Sequence, residues 1–321
     1  MLPPAPLYKF SSAADALSIL ESGVIWTKSP LDFNDPFEVL PAFDEERKNV
    51  AITSRKEFYK KVGLSGGGQL VAGGNEEVIP VEQWVDLAKN YHDPFFEVIA
   101  KTYRVLCFGE DPTPTLLWSH YAESHKGIAL GFDLSKGAFP LGQRTEGLAV
   151  EYADDRTSLK LPLEYYRFRG LEDLEPAPSG FTTTMGGLYI SKTEQNAIYL
   201  DCLMKLLGTK DSNWAYEKER RFIYNLALSY RDGLESSGEH HAARFDPGAV
   251  TEVIFGYRCT PAEIRDTWQI LEKNYPNAKL GYVDLHPHKY EVRVHYSDIV
   301  HVIATHSERM NNFRARIKSQ E

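Results

Sequence analysis

Short apolar strand segments alternate with helical segments along this chain, and their spacing follows no βαβ repeat. That pattern favours an α+β fold over a doubly wound parallel sheet: a mixed, mostly antiparallel sheet with helices packed on it. Leu7-Tyr8-Lys9-Phe10 alternates apolar and polar positions as a strand does. Ser11 and Ser12 can cap a following helix, Ala13, Ala16, Leu17, Ile19 and Leu20 give that helix an apolar face, and Gly23 supplies its stop. Further strands are expected at 24–26, 105–108, 127–132, 148–152, 250–256, 280–285 and 290–294. Helices are expected at 47–62, 81–103, 115–122, 190–207 and 307–319. Another begins at Thr260, where Pro261 at the first position and Glu263 completing a capping box mark the start. Between 214 and 226 the edge of a helix is expected to pass into a strand near 221–224. Residues 7–300 are expected to form a single α+β domain with a helical insertion at 44–100, and residues 301–321 a basic C-terminal helix or tail.

Composition narrows the class. With 36 basic and 45 acidic residues the net charge is −9, and 42% hydrophobic with 25% charged residues is the balance of a soluble globular protein. The acidic body weighs against non-specific nucleic-acid binding, while a local basic groove leaves nucleic acid open as a partner. Three cysteines with no CxxC pair make a zinc knuckle or a disulfide framework unlike this chain, and a cytoplasmic location follows. Residues 1–6 lack the basic and apolar regions of a signal peptide, and no apolar run approaches the ~18 residues of a membrane span. GxGxxG, GxxxxGK[ST] and HExxH are absent, which removes the best-marked nucleotide and zinc-protease mechanisms.

Three constellations carry chemistry. Asn34-Asp35-Pro36-Phe37-Glu38 is a turn by its residue types; it either serves only as a turn anchored by Phe33 and Phe37 or presents Asp35 and Glu38 to a cleft. In Leu117-Trp118-Ser119-His120-Tyr121-Ala122, helical spacing puts Trp118 and Tyr121 on one face. These rings are either core or a stacking surface for an aromatic base, and His120 can carry a proton near neutral pH. In Trp214-Ala215-Tyr216-Glu217-Lys218-Glu219-Arg220-Arg221-Phe222, an extended chain would place Glu217, Glu219 and Arg221 on one face. Confined carboxylates at that spacing suit acid/base or oxocarbenium-stabilising chemistry, and a salt-bridge ladder to the arginines is the bland alternative. His240-His241 is expected in an exposed loop, and His286-Pro287-His288 lacks a nearby acidic or cysteine partner, so no metal site is assigned.

Together these motifs resemble a bacterial and phage-associated family, the domain of unknown function family 2971. The resemblance rests on Tyr8-Lys9-Phe10, Gly23, Phe33 to Glu38, Cys107-Phe108, Trp118 to Ala122 before Gly127, and Tyr216 to Phe222, and Val253-Ile254-Phe255-Gly256 extends it. A looser resemblance is to ADP-ribosyltransferases, some of which end on a Glu-x-Glu pair similar to Glu217-Lys218-Glu219. That resemblance implies NAD as co-substrate and an effector role in phage defence or toxin systems. It implies Glu219 as the carboxylate that stabilises the ribose cation, Glu217 as the group positioning the acceptor, and His120 as a further catalytic group. Lys9, Trp118, Tyr121, Asp35 and Arg221 would bind the dinucleotide, and the acceptor would be a small nucleotide or a macromolecule. The sequence departs from that family in offering Lys9 where Arg or His is usual, and no Ser-Thr-Ser follows. A non-catalytic binding module and a metal-assisted hydrolase or nuclease built on Asp35, Glu38, His120, Glu217 and Glu219 are the alternatives.

Overall fold

A computed structural model describes residues 6–39, 70–71, 78–79, 99–136, 147–157, 203–226, 234–238 and 240–318. The insertion expected at 44–100 lies almost wholly outside the described residues, as does the greater part of the helix expected at 190–207. The chain divides into two compact units, one made of Met1–Phe33, Thr102–Tyr152 and Ser212–Glu321, the other of Asn34–Lys101 and Ala153–Asp211. Among the described residues no helix is long and apolar enough to cross a membrane.

The first unit is built on an eight-stranded mixed sheet. Its strands are β1 (Leu7–Ser11), β3 (Tyr103–Gly109), β4 (Ile128–Phe132), β5 (Leu148–Ala149), β6 (Glu219–Asn225), β9 (Val250–Phe255), β10 (Lys279–Leu285) and β11 (Val292–Tyr296). They lie in the order β11-β10-β9-β4-β1-β3-β6-β5. Only β9 and β10 run parallel, joined through helix α3 (Pro261–Asn274); the other neighbours are antiparallel. This is the α+β architecture expected from the interleaved pattern. A three-stranded sheet of β2 (Val24–Trp26), β7 (Leu234–Ser237) and β8 (His240–Arg244) completes the unit.

Each sheet face buries its own cluster. Helix α1 (Ala13–Ser22), α3 and the C-terminal helix α4 (Ile299–Lys318) cover one face through Ala16, Leu20, Ile264, Leu271 and Val302, set against Leu130, Phe132, Val253 and Phe255. Helix α2 (Thr115–Tyr121) covers the other, where Leu117 and Trp118 pack with Tyr8, Phe10, Ala129 and Ile254. A fully buried side chain of this size contributes about 1.5–3 kcal/mol. The helix ends are set locally, as their residue types dictate. Ser12 Oγ accepts from Asp15 N, Gly23 ends α1 at φ 68°, and Thr260 and Glu263 close both halves of their capping box.

Two expectations fail. His240-His241 begins β8 rather than a loop; Ala242 and Ala243 are buried, and β8 pairs with β2 across more than 200 residues of sequence, a partner no local pattern reveals. Helix α4 starts at Ile299, not 307, because Val302 and His306 supply a short buried stripe that polar neighbours obscure in the sequence.

In the second unit the Asn34–Glu38 segment is a turn. Asp35 Oδ1 accepts from Phe37 N at 2.9 Å and Asp35 O accepts from Glu38 N at 3.1 Å. The buried Glu38 carboxylate faces the buried Lys210 ammonium at 3.8 Å beside a cavity of about 280 Å³.

Candidate functional site

The Glu217-Lys218-Glu219 triplet straddles two elements. Glu217 closes a 3₁₀ turn over Ser212–Glu217, Lys218 takes a left-handed φ of 43°, and β6 begins at Glu219. The kink removes Glu217 from the extended register in which three side chains would share a face. Glu219 and Arg221 alone keep that relation. Both carboxylates are nonetheless buried, Glu217 at 3% and Glu219 at 7% exposure.

Arg221 is the largest charge buried here, at 1% exposure. Its Nε donates to Glu219 Oε1 and its second terminal nitrogen to Oε2, each at 3.0 Å, a bidentate pair along one strand face. Its guanidinium carbon lies 5.1 Å from the Phe33 ring centroid. Tyr152 OH accepts from Glu219 N at 2.8 Å, which anchors the start of β6. Arg220 pairs with Glu110 at 2.5 Å and Lys218 with Asp111 at 3.1 Å, so the flanking cations are engaged outside the buried pair.

Helix α2 delivers the aromatic side of the site. Tyr121 OH donates to Glu217 Oε1 at 2.8 Å. His120 is exposed, its ring 6.3 Å from Tyr121 and 5.8 Å from Trp214, which in turn lies 6.1 Å from Tyr216. Tyr121, Trp214 and Tyr216 are partly exposed. Tyr121 joins this row of rings to the Glu217 carboxylate.

Trp118 is not among them, which corrects the stacking role considered for it. It is 0% exposed, its indole N–H donates to Pro112 O at 2.7 Å, and Phe10 packs edge-on at 5.2 Å. Its side chain points into the sheet face that α2 covers, so its burial is the price of docking the helix. Lys9 Nζ donates to Cys107 O at 3.2 Å, and burial holds its ammonium below the usual value. Cys107 stands opposite Arg221 in the β3–β6 ladder, and burial, reinforced by the Glu219 charge, pushes its thiol up.

Asp35 and Glu38 belong to the second unit, in the turn and ion pair described above. Among the described residues no group of three or more His, Cys, Asp or Glu is placed to hold a metal ion. His286 Nδ1 accepts from His288 N at 3.0 Å, a local turn contact.

Sequence reasoning singled out the carboxylates, Arg221, His120 and Tyr121, and noted Trp214 and Tyr216 as flanking rings. It missed Tyr152, and it noted Cys107 only as part of the motif pattern, not at the site; both reach the site through the tertiary fold.

Residues 117–222 match the model of a family described as a protein of unknown function, DUF2971. That segment runs from α2 through Glu217, Glu219 and Arg221, so it holds the helix and the strand that make this site. No curated protein and no solved structure matches the chain.

Proposed function

We propose that the DUF2971 segment of this chain is the catalytic part of an NAD-using enzyme, an ADP-ribosyltransferase or NAD glycohydrolase acting as an effector in phage defence or toxin systems. One observation carries the reading: two buried carboxylates with one residue between them, the first held by Tyr121 at the end of a row of partly exposed rings from α2 and the 3₁₀ turn. Flat rings beside carboxylates suit a ligand that joins an aromatic base to a sugar. Glu219 stabilises the positive charge that builds on the ribose as its bond to nicotinamide breaks and nicotinamide leaves with the electron pair. Arg221 holds that carboxylate in one orientation through a bidentate pair to both of its oxygens. Glu217, oriented by Tyr121, takes the proton of the water or acceptor group that adds to the same carbon. His120, Trp214 and Tyr216 supply the stacking surface in place of Trp118.

A non-catalytic binding module is the second reading. The bidentate Glu219–Arg221 pair and the buried Trp118 favour it, since both spend motif residues on structure.

Incubation of the pure chain with NAD separates the two. The catalytic reading expects free nicotinamide, with Glu219→Gln lowering its release by about 10²–10³-fold while Trp118→Phe keeps the activity. Absence of both nicotinamide release and calorimetric NAD binding with the folded wild-type chain overturns it.

A further inference from the structure

At the opposite end of the sheet from β6, two tyrosines converge on one carboxylate. Glu252 of β9 accepts at Oε2 from Tyr8 OH of β1 at 3.0 Å and from Tyr296 OH of β11 at 2.5 Å. Neither tyrosine sits on a strand adjacent to β9; β4 intervenes on one side and β10 on the other. A glycine lies at each crossing. Gly131 pairs with both Tyr8 and Glu252, and Gly281 pairs with Tyr296. A Cβ on Gly131 would stand 2.9 Å from Glu252 Cβ and 3.2 Å from the Tyr8 ring, and one on Gly281 would stand 3.3 Å from the Tyr296 ring. The ladder also shifts register between Val250 and Glu252. Interior glycines and a bulge each weaken a sheet, and here all three serve to aim one side chain. Burial pushes the Tyr296 phenol up to about 12 and the Tyr8 phenol further, so both remain donors.

Both phenol protons go to Oε2. Among the described residues Oε1 of Glu252 has no hydrogen-bond partner, and Glu252 lines a cavity of about 560 Å³. Lys279 lines the same cavity and is the register partner of Glu252 across the parallel β9–β10 pair, yet no ion pair joins them. Lys136, the other cation of the cavity, is engaged by Asp133 at 3.6 Å. Glu252 and Lys279 therefore line one recess with no ion pair between them, and Asn274 and Asn277 line it too.

We infer that this cavity binds a small zwitterion of the amino-acid class, its ammonium on Glu252 Oε1 and its carboxylate on Lys279. Opposite charges held apart by backbone register are the complement of a ligand carrying both, and charge-assisted hydrogen bonds at each end select it over a simple cation or anion. Tyr8 and Tyr296 are positioning residues that keep Oε1 turned to the recess. The site shares no ligand contact with the Glu219 region, so it stands or falls independently of NAD chemistry.

Titration calorimetry of the full chain with each of the twenty common amino acids tests it. At least one is expected to bind, and Glu252→Gln to weaken that binding roughly tenfold or more. Lys279→Ala is expected to weaken the same amino acid while leaving its decarboxylated amine unchanged. Tyr296→Phe, at a half-exposed ring, is expected to weaken binding several-fold and decides the matter where Glu252→Gln does not fold by circular dichroism. Binding of none of the twenty overturns the inference, as does wild-type affinity in folded Glu252→Gln or in Tyr296→Phe.

Discussion

Glu123, Ser124 and His125 are three successive non-glycine residues with left-handed φ, at 47°, 55° and 71°. Each such residue costs about 1–3 kcal/mol. The turn persists because its last residue is pinned twice: His125 N donates to Trp118 O at 3.0 Å and Arg258 N donates to His125 O at 2.8 Å. The imidazole Nε2 then lies 3.0 Å from Ser119 Oγ, while the buried Nδ1 has no partner among the described residues. Burial, helped by the Arg258 charge, lowers the pKa of His125 below its ordinary 6.5. A base whose native pKa is depressed takes up its proton more readily in the unfolded chain. Stability is therefore unaffected well above pH 6.5 and falls as pH drops from about 6.5 towards the lower native value. His306, also lowered mainly by burial, adds to the same slope. Urea midpoints at pH 7.5 and 5.5 are expected to differ less in His125→Asn than in the wild type, because Asn tolerates the left-handed backbone and carries no proton. An unchanged difference sinks this account.

At the scale of elements, the segment from α2 to β4 is a tight joint in the first unit. Gly127 N donates to Ala122 O and Gly127 O accepts from Gly256 N, so the chain between helix and strand is clasped on both sides. A Cβ on Gly127 would stand 2.0 Å from Ser11 O and 3.0 Å from Ala122 Cα, both backbone atoms that cannot step aside. Gly127→Ala is expected to lower stability by about 3 kcal/mol or more, or to prevent folding, as thermal unfolding would show. Gly238→Ala, with open space around the position, is the control, though its φ of 62° carries a smaller strain. The joint matters to the site because α2 holds Trp118 in the core and brings Tyr121 to Glu217. The element itself was legible in the sequence. Which of its two aromatic rings is core was not, since both lie on one helical face and only the fit against Phe10 separates them.

Across the whole molecule, protection should follow the sheet. Strands β1, β4 and β9 lie at its centre with both faces covered, whereas β5 and β11 are its edges. Hydrogen exchange is expected to be slowest in β4, whose five residues are all buried, and fastest in β5 and β11. Faster exchange in β4 than in β11 contradicts this order. The sequence by itself determined whatever depends on neighbours a few residues apart. The periodicity of α1 and α3, the caps at Ser12 and Thr260, the stop at Gly23, the Asp35 turn and the position of the charged run before β6 all follow from short-range sterics and hydrogen bonds. Only the tertiary structure decided which strands lie side by side. Tyr152 against Glu219, Cys107 opposite Arg221, and Tyr8 with Tyr296 on Glu252 are partners up to 244 residues apart. Such meetings depend on strand order and register, and these are settled by burying both sheet faces at once rather than by any local run of residues.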